Sequence, residues 1–247
     1  MKKLAIIDWG IGGVSIYNLV KDELGLPIVY FSDTGATPYG KMTRRELVGR
    51  LNQVLRFLKA HNVTHVVVGC NAASTALPYL DNCGLTIEGV SEPAVEMAAE
   101  LKPKRLALIG GRRTVVSGVY RRAFAEKGIE VAQRIAQPLS GMIESGDICS
   151  QGLIDAARRI LRPIRNSTHI LLACTHYPAI TGILQEMVSP ETRFIDPAGE
   201  LVVKIAEWRL EHGDGDEFFT TGDVRQMKAA AKKAFGVVIE NASRVRL

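Results

Sequence analysis

Two cysteines and the polar residues near them are the part of this sequence equipped for proton transfer. Cys70 follows the apolar run Val66–Val68, and Cys174 follows Ile170–Leu172. His176 stands two residues after Cys174, in Ala173-Cys174-Thr175-His176-Tyr177-Pro178. Asp8 ends the run Leu4–Ile7 and opens Asp8-Trp9-Gly10-Ile11-Gly12-Gly13. A free thiol ionises at a pKa of about 8.5, so a cysteine that works as a base near neutral pH needs help from its surroundings. A histidine as close as His176 can take or return its proton. Asp8 suits a relay or orienting role, because a bare negative charge beside a thiol disfavours the thiolate. Two such thiols on opposite faces of one carbon form an acid–base pair. One removes a proton, the other returns one from the far side, and the stereocentre inverts.

That chemistry requires the thiols to face each other, and an internal repeat supplies a reason. Thr64–Asn71 is echoed by Thr168–Thr175, and Lys2–Ile7 by Lys104–Ile109, in the same order and at nearly the same offset. Each half therefore ends a similar buried run with a cysteine, as a duplicated unit would. The runs Leu4–Ile7, Ile28–Phe31, Val66–Val68, Leu106–Ile109 and Ile170–Leu172 read as buried strands. Thr43–Ala60, Glu92–Leu101 and Ile154–Leu161 read as helices, the first with a capping box of Thr43 and Glu46. Alternating strands and helices predict an α/β fold with mainly parallel sheets. Ligands bind beyond the carboxyl ends of strands in such sheets, so two halves related by a pseudo-twofold axis would bring Cys70 and Cys174 to one cleft.

Composition narrows the alternatives. The chain has 247 residues, 47% hydrophobic and 23% charged, as expected of an ordinary globular protein. No apolar run reaches the length of a membrane helix. The first apolar run stops at Asp8, too soon for an export signal, so a cytoplasmic location is expected. The cysteines other than Cys70 and Cys174, namely Cys83 and Cys149, read as packing residues, as do His65 and His169 at the starts of the repeated strands. No C-x-x-C pair suggests a structural metal or a redox motif. The net charge of +5 is spread over short pairs such as Arg112-Arg113 and Arg121-Arg122, without a nucleic-acid reading motif, and fits a small anionic substrate. The glycines after Trp9 lack the spacing of a dinucleotide fingerprint and the lysine of a phosphate loop.

Taken together, these pieces resemble the glutamate racemases of the aspartate/glutamate racemase superfamily. That family shows an Asp-Ser-Gly-x-Gly-Gly turn, Pro-Tyr-Gly, Cys-Asn-Thr-Ala-Ser and Ala-Cys-Thr-His-Tyr-Pro. This chain has the turn from Asp8 to Gly13, then Pro38-Tyr39-Gly40, Cys70-Asn71-Ala72-Ala73-Ser74, and Ala173 to Pro178, in the same order. Weaker matches are Thr114, Ser117, Tyr120, Glu144 and Ile195-Asp196-Pro197-Ala198. The resemblance implies two facing α/β subdomains, the second inserted in the first: residues 1–97 with 208–247, and residues 98–207. It implies racemisation of an amino acid, glutamate foremost, with neither pyridoxal phosphate nor a metal, in support of bacterial peptidoglycan synthesis. Cys70 would serve the D-isomer and Cys174 the L-isomer, with Asp8 and His176 as relays and Glu144 orienting His176. Pro38, Tyr39, Gly40, Asn71, Thr114 and Thr175 would hold the substrate's charged groups. The family forms dimers of more than one arrangement, so a homodimer is implied; a nucleic-acid or membrane partner is not.

Two substrate-contacting positions depart from the pattern. Trp9 replaces a serine and Ala72 a threonine. A hydroxyl bonded to a charged ligand contributes about 1.5–3 kcal/mol, so losing both weakens glutamate binding unless other groups replace them. The departures leave open a racemase or isomerase acting on aspartate or another acid. They also leave open a binding protein that keeps the scaffold, although such a protein has no need of two opposed thiols.

Overall fold

The structure, a computed structural model, describes residues 2–213 and 215–247. The first part of the chain runs β1 (Leu4–Asp8), α1 (Val14–Leu24), β2 (Ile28–Ser32), α2 (Arg44–Ala60), β3 (His65–Val68), α3 (Asn71–Ser74), β4 (Thr86–Gly89) and α4 (Ser91–Glu100). The middle runs β5 (Leu106–Gly110), α5 (Arg112–Ser117), α6 (Val119–Glu126), β6 (Val131–Ile135), α7 (Gln137–Glu144), α8 (Gln151–Leu161), β7 (His169–Ala173), α9 (Thr181–Gln185) and β8 (Arg193–Ile195). The chain then adds α10 (Ala198–Glu207), β9 (Glu217–Thr220), α11 (Val224–Phe235) and β10 (Ser243–Arg244). The strands form two parallel sheets, ordered β10-β9-β2-β1-β3-β4 and β6-β5-β7-β8. This is the predicted α/β class.

The central strands are short aliphatic runs buried on both faces, as parallel strands covered by helices must be. β1, β2, β3 and β5 are buried throughout. Helix α2 starts at the predicted capping box: the Thr43 side chain accepts from the Glu46 N–H, and Glu46 accepts from the Thr43 N–H at 2.7 Å. Its Leu47, Leu51, Val54, Leu55 and Leu58 recur at helical spacing and pack on one face of the first sheet. The apolar faces of α1, α10 and α11 cover the other face. Helix α4 instead places Ala94, Val95 and Ala98 among Leu108, Tyr120 and Leu171 of the second sheet's layer.

The sequence repeat has a direct structural counterpart. Strands β2-β1-β3-β4 of the first sheet have the same order as β6-β5-β7-β8 of the second. Leu4 pairs with His65, and Leu106 with His169. At the head of each pair a threonine hydroxyl performs the same two tasks. Thr64 Oγ1 accepts from the Lys3 N–H at 2.9 Å and lies 2.9 Å from His65 Nδ1. Thr168 Oγ1 accepts from the Arg105 N–H and lies 3.1 Å from His169 Nδ1. The two cysteines thus leave equivalent strands, β3 and β7, at equivalent ends.

Candidate active site

The carboxyl ends of β1, β3 and β7 open into one cavity of about 290 Å³. Cys70 and Cys174 both line it, together with Asp8, Asn71, Thr175 and His176. Trp9, Pro38, Tyr39, Gly40, Ala72 and Thr114 complete the part of the wall that the sequence singled out. Glu144 lies behind the wall, in contact with His176 rather than with the cavity. Lys41, Gly111, Gln137, Pro138, Ser140 and Gly141 also line it and were not anticipated. The signal for Lys41 was its place next to Pro38-Tyr39-Gly40; the others come from the start of α5 and from α7, where no motif marks them.

The second thiol has a built support. Cys174 Sγ lies 3.6 Å from His176 Nδ1, and His176 Nε2 lies 2.7 Å from Glu144 Oε2. The same carboxylate oxygen accepts from the Ile11 N–H at 2.9 Å. Burial disfavours the charged imidazole, but the contacts with Cys174 and Glu144 outweigh it and hold His176 well above the ordinary histidine pKa. An imidazolium facing the sulfur stabilises negative charge on it.

Cys70 sits differently. It precedes α3 and is pushed well above the ordinary thiol pKa, first by burial and then by the Asp8 charge, while the amides of Ala73 and Ala72 pull it back. Asp8 is buried too, and its pKa is raised by that burial, with Glu144 adding to the effect and His176, Thr175 and Gly10 opposing it. β1 lies beside β3 as expected. The Asp8 carboxylate nevertheless makes its short hydrogen bond across the cleft, accepting from the Thr175 hydroxyl at 2.7 Å, and makes none to Cys70. Asp8 is therefore a neighbour of the first thiol in charge and position, held in place by Thr175 of the opposite half.

The glycine turn explains how the halves approach so closely. A Cβ at Gly10 would lie 2.0 Å from Glu144 Oε2, and one at Gly12 would lie 2.2 Å from Thr175 Oγ1 and 2.8 Å from His176 Nδ1. Neither glycine has a positive φ, so the requirement is for space and not for backbone freedom.

The remaining wall is fixed by polar anchors outside the cavity. The Tyr39 hydroxyl donates to Asp33 Oδ2 at 2.8 Å and so turns away from the cavity. Asp33, fully buried, also receives Arg50 Nη2 at 2.6 Å, Arg50 Nε at 2.8 Å and the Thr221 hydroxyl at 2.7 Å. The Tyr120 hydroxyl donates to Asn71 Oδ1 at 2.5 Å, leaving Asn71 Nδ2 buried without a partner among the described residues. A buried donor of this kind favours an acceptor in the cavity. The Trp9 indole N–H is committed to the Ala36 carbonyl at 3.1 Å, so the residue that replaces a serine offers the cavity an apolar ring. Among the described residues, no cluster of His, Cys, Asp or Glu is arranged to hold a metal, and no helix is long and apolar enough to cross a membrane.

Comparison with known proteins agrees with this geometry. The chain is 30% identical to the glutamate racemase of Carboxydothermus hydrogenoformans, over 99% of its own length and 96% of that protein's. It superposes on the glutamate racemase of Thermus thermophilus, solved in complex with beta-chloro-D-alanine, with a TM-score of 0.85 and 26% identity over 100% and 97% of the two chains. It shares its fold with the Francisella tularensis glutamate racemase solved in complex with D-glutamate, with a TM-score of 0.89 at 21% identity over 99% and 97%. Residues 17–205, which include three of the six strands of the first sheet, all of the second sheet and both cysteines, match the Asp/Glu/hydantoin racemase family, and the chain belongs to it.

Proposed function

We propose that this protein is a cofactor-independent glutamate racemase that inverts Cα between the thiols of Cys70 and Cys174. The observation that carries the reading is the placement of both cysteines, from equivalent strand ends, on one cavity with Asp8 and the His176–Glu144 pair. With the L-isomer, the Cys174 thiolate takes the α-proton and the Cys70 thiol gives its proton to the opposite face. The products are the D-isomer, a Cys174 thiol and a Cys70 thiolate. His176 stabilises the charge at one sulfur and exchanges its proton; Asp8, whose own charge disfavours the Cys70 thiolate, acts at the other only as a proton relay. The D-isomer runs the same steps in reverse. Asn71 Nδ2 and Thr114 suit the α-carboxylate, and the buried Asp8 carboxylate suits the ammonium. We divide the chain into two facing subdomains, residues 1–97 with 208–247 and residues 98–207. Two helices pack across this division: most of α4 falls in the first stretch but packs on the second sheet, and α10 falls in the second stretch but packs on the first sheet. The product D-glutamate serves cell-wall precursor synthesis in the bacterial cytoplasm.

A second reading keeps the dithiol and changes the acid, for instance to aspartate, and the apolar surface of Trp9 together with Ala72 favours it. One measurement separates the two: NMR of L- and D-glutamate and L- and D-aspartate incubated with the protein in D2O. Deuterium at Cα with inversion is expected for glutamate. Inversion of aspartate alone would select the second reading. Cys70→Ser and Cys174→Ser should each lose racemisation, and full activity in either would refute the two-thiol mechanism.

A further inference from the structure

We propose that the Lys41 ammonium anchors the distal carboxylate of the substrate and is the residue that makes this cleft select an acidic amino acid. The inference rests on the racemase reading above and supplies the group that reading leaves unassigned, the partner of the substrate's second negative charge.

Glutamate brings one ammonium and two carboxylates. Asp8 is available to the ammonium, and the unpartnered Asn71 Nδ2 to one carboxylate. The family pattern has substrate-contacting hydroxyls at positions 9 and 72, and this chain has neither. Trp9 offers no substitute, since its only polar hydrogen is bonded to Ala36. His176 is engaged by Cys174 and Glu144. Lys41 is the one lining residue with an ammonium or guanidinium group. Among the described residues, it takes part in none of the ion pairs. It is exposed at the mouth, and its flexible stem can follow a ligand inward. Its base is rigid. Lys41 N–H donates to the Pro38 carbonyl at 2.7 Å, and the neighbouring Tyr39 is pinned to Asp33. A flexible cation on a fixed root gives the cavity mouth a charged donor where the two hydroxyls of the family pattern are missing.

The test is steady-state racemisation by wild type, Lys41→Met and Lys41→Arg. The ligands are L-glutamate and its neutral isostere L-glutamine, the latter followed as substrate or as competitive inhibitor. Lys41→Met should raise KM for glutamate about tenfold, the scale of one hydrogen bond to a charged group. kcat should stay within about twofold, the glutamine constant should not move, and Lys41→Arg should recover most of the loss. Added NaCl should raise the wild-type KM for glutamate and leave that of Lys41→Met unchanged, because salt screens an exposed pair. An unchanged glutamate KM in Lys41→Met would overturn the proposal, as would equal losses for glutamate and glutamine, which would indicate a structural role. In both cases wild type still racemises glutamate and the proposed function stands. A wild-type protein that racemises neither ligand overturns that function, and this proposal with it.

Discussion

Replacing Glu144 by glutamine keeps the side chain's shape and removes its charge. Glu144 Oε2 accepts two buried hydrogen bonds, from His176 at 2.7 Å and from the Ile11 N–H at 2.9 Å. A neutral amide oxygen can still accept, but the imidazolium loses its counter-charge just as negative charge develops on Cys174. Hydrogen bonds to charged groups contribute about 1.5–3 kcal/mol. Lost from the transition state, that predicts a fall in kcat/KM of about ten- to a hundred-fold. The two enantiomers are equal in free energy, so the fall must be the same in both directions. The pH profile should change as well. Glu144 is one of the groups holding His176 above its ordinary pKa, so the alkaline limb set by loss of the imidazolium should move to lower pH in Glu144→Gln. Initial rates by circular dichroism, from each enantiomer and across roughly pH 6–10, read both effects. A change under about twofold, or an unmoved limb, in a variant with the wild-type far-ultraviolet spectrum would refute the role given to Glu144.

Gly12→Ala places a methyl group 2.2 Å from Thr175 Oγ1. It should lower Tm by about 3–10 °C and abolish racemisation, since overpacking costs about 1–3 kcal/mol and here displaces His176 as well; wild-type activity would show that the turn does not seat against the second half. Asp8 has a raised folded pKa, so its contribution to stability is complete below the ordinary carboxylate pKa of about 3.9 and is lost as pH rises through the raised value. Asp8→Asn removes the buried charge and keeps an acceptor for Thr175. Its Tm should therefore exceed that of wild type at pH 8, and by less at pH 5, while racemisation is lost. A lower Tm for Asp8→Asn at pH 8 would contradict the desolvation argument.

What could be read from the chain followed from how local each feature is. β1, β2, β3, β5 and β7 are central strands, and burial on both faces forces their middles to be continuous apolar runs. The edge strands β6 and β8 have a half-buried Gln133 and exposed Arg134 and Arg193, and carry no run to recognise. Their identity comes from the neighbouring strand. The thiols, His176 and Asp8 were legible because each stands at a strand end within a motif. The bonds Thr175–Asp8 and Glu144–Ile11 were not, because they depend on how the halves meet. Asp33, which locks Tyr39 by bonds to Arg50 and Thr221, lies in no repeat. The glycine turn could be seen as a turn, but its steric purpose became visible only with Glu144 and Thr175 against it.

The contacts across the cleft are exchanged. Asp8, at the end of the first sheet's β1, is held by Thr175 beyond the second sheet's β7; Glu144, at the end of α7, is held by the backbone of the first half's glycine turn. A rigid displacement of one sheet layer from the other would break both bonds together, whereas the contacts of His176 with Cys174 and Glu144 lie within one half and would survive it. The two acids therefore tie the cleft from opposite sides as one latch, each half supplying one carboxylate and receiving the other.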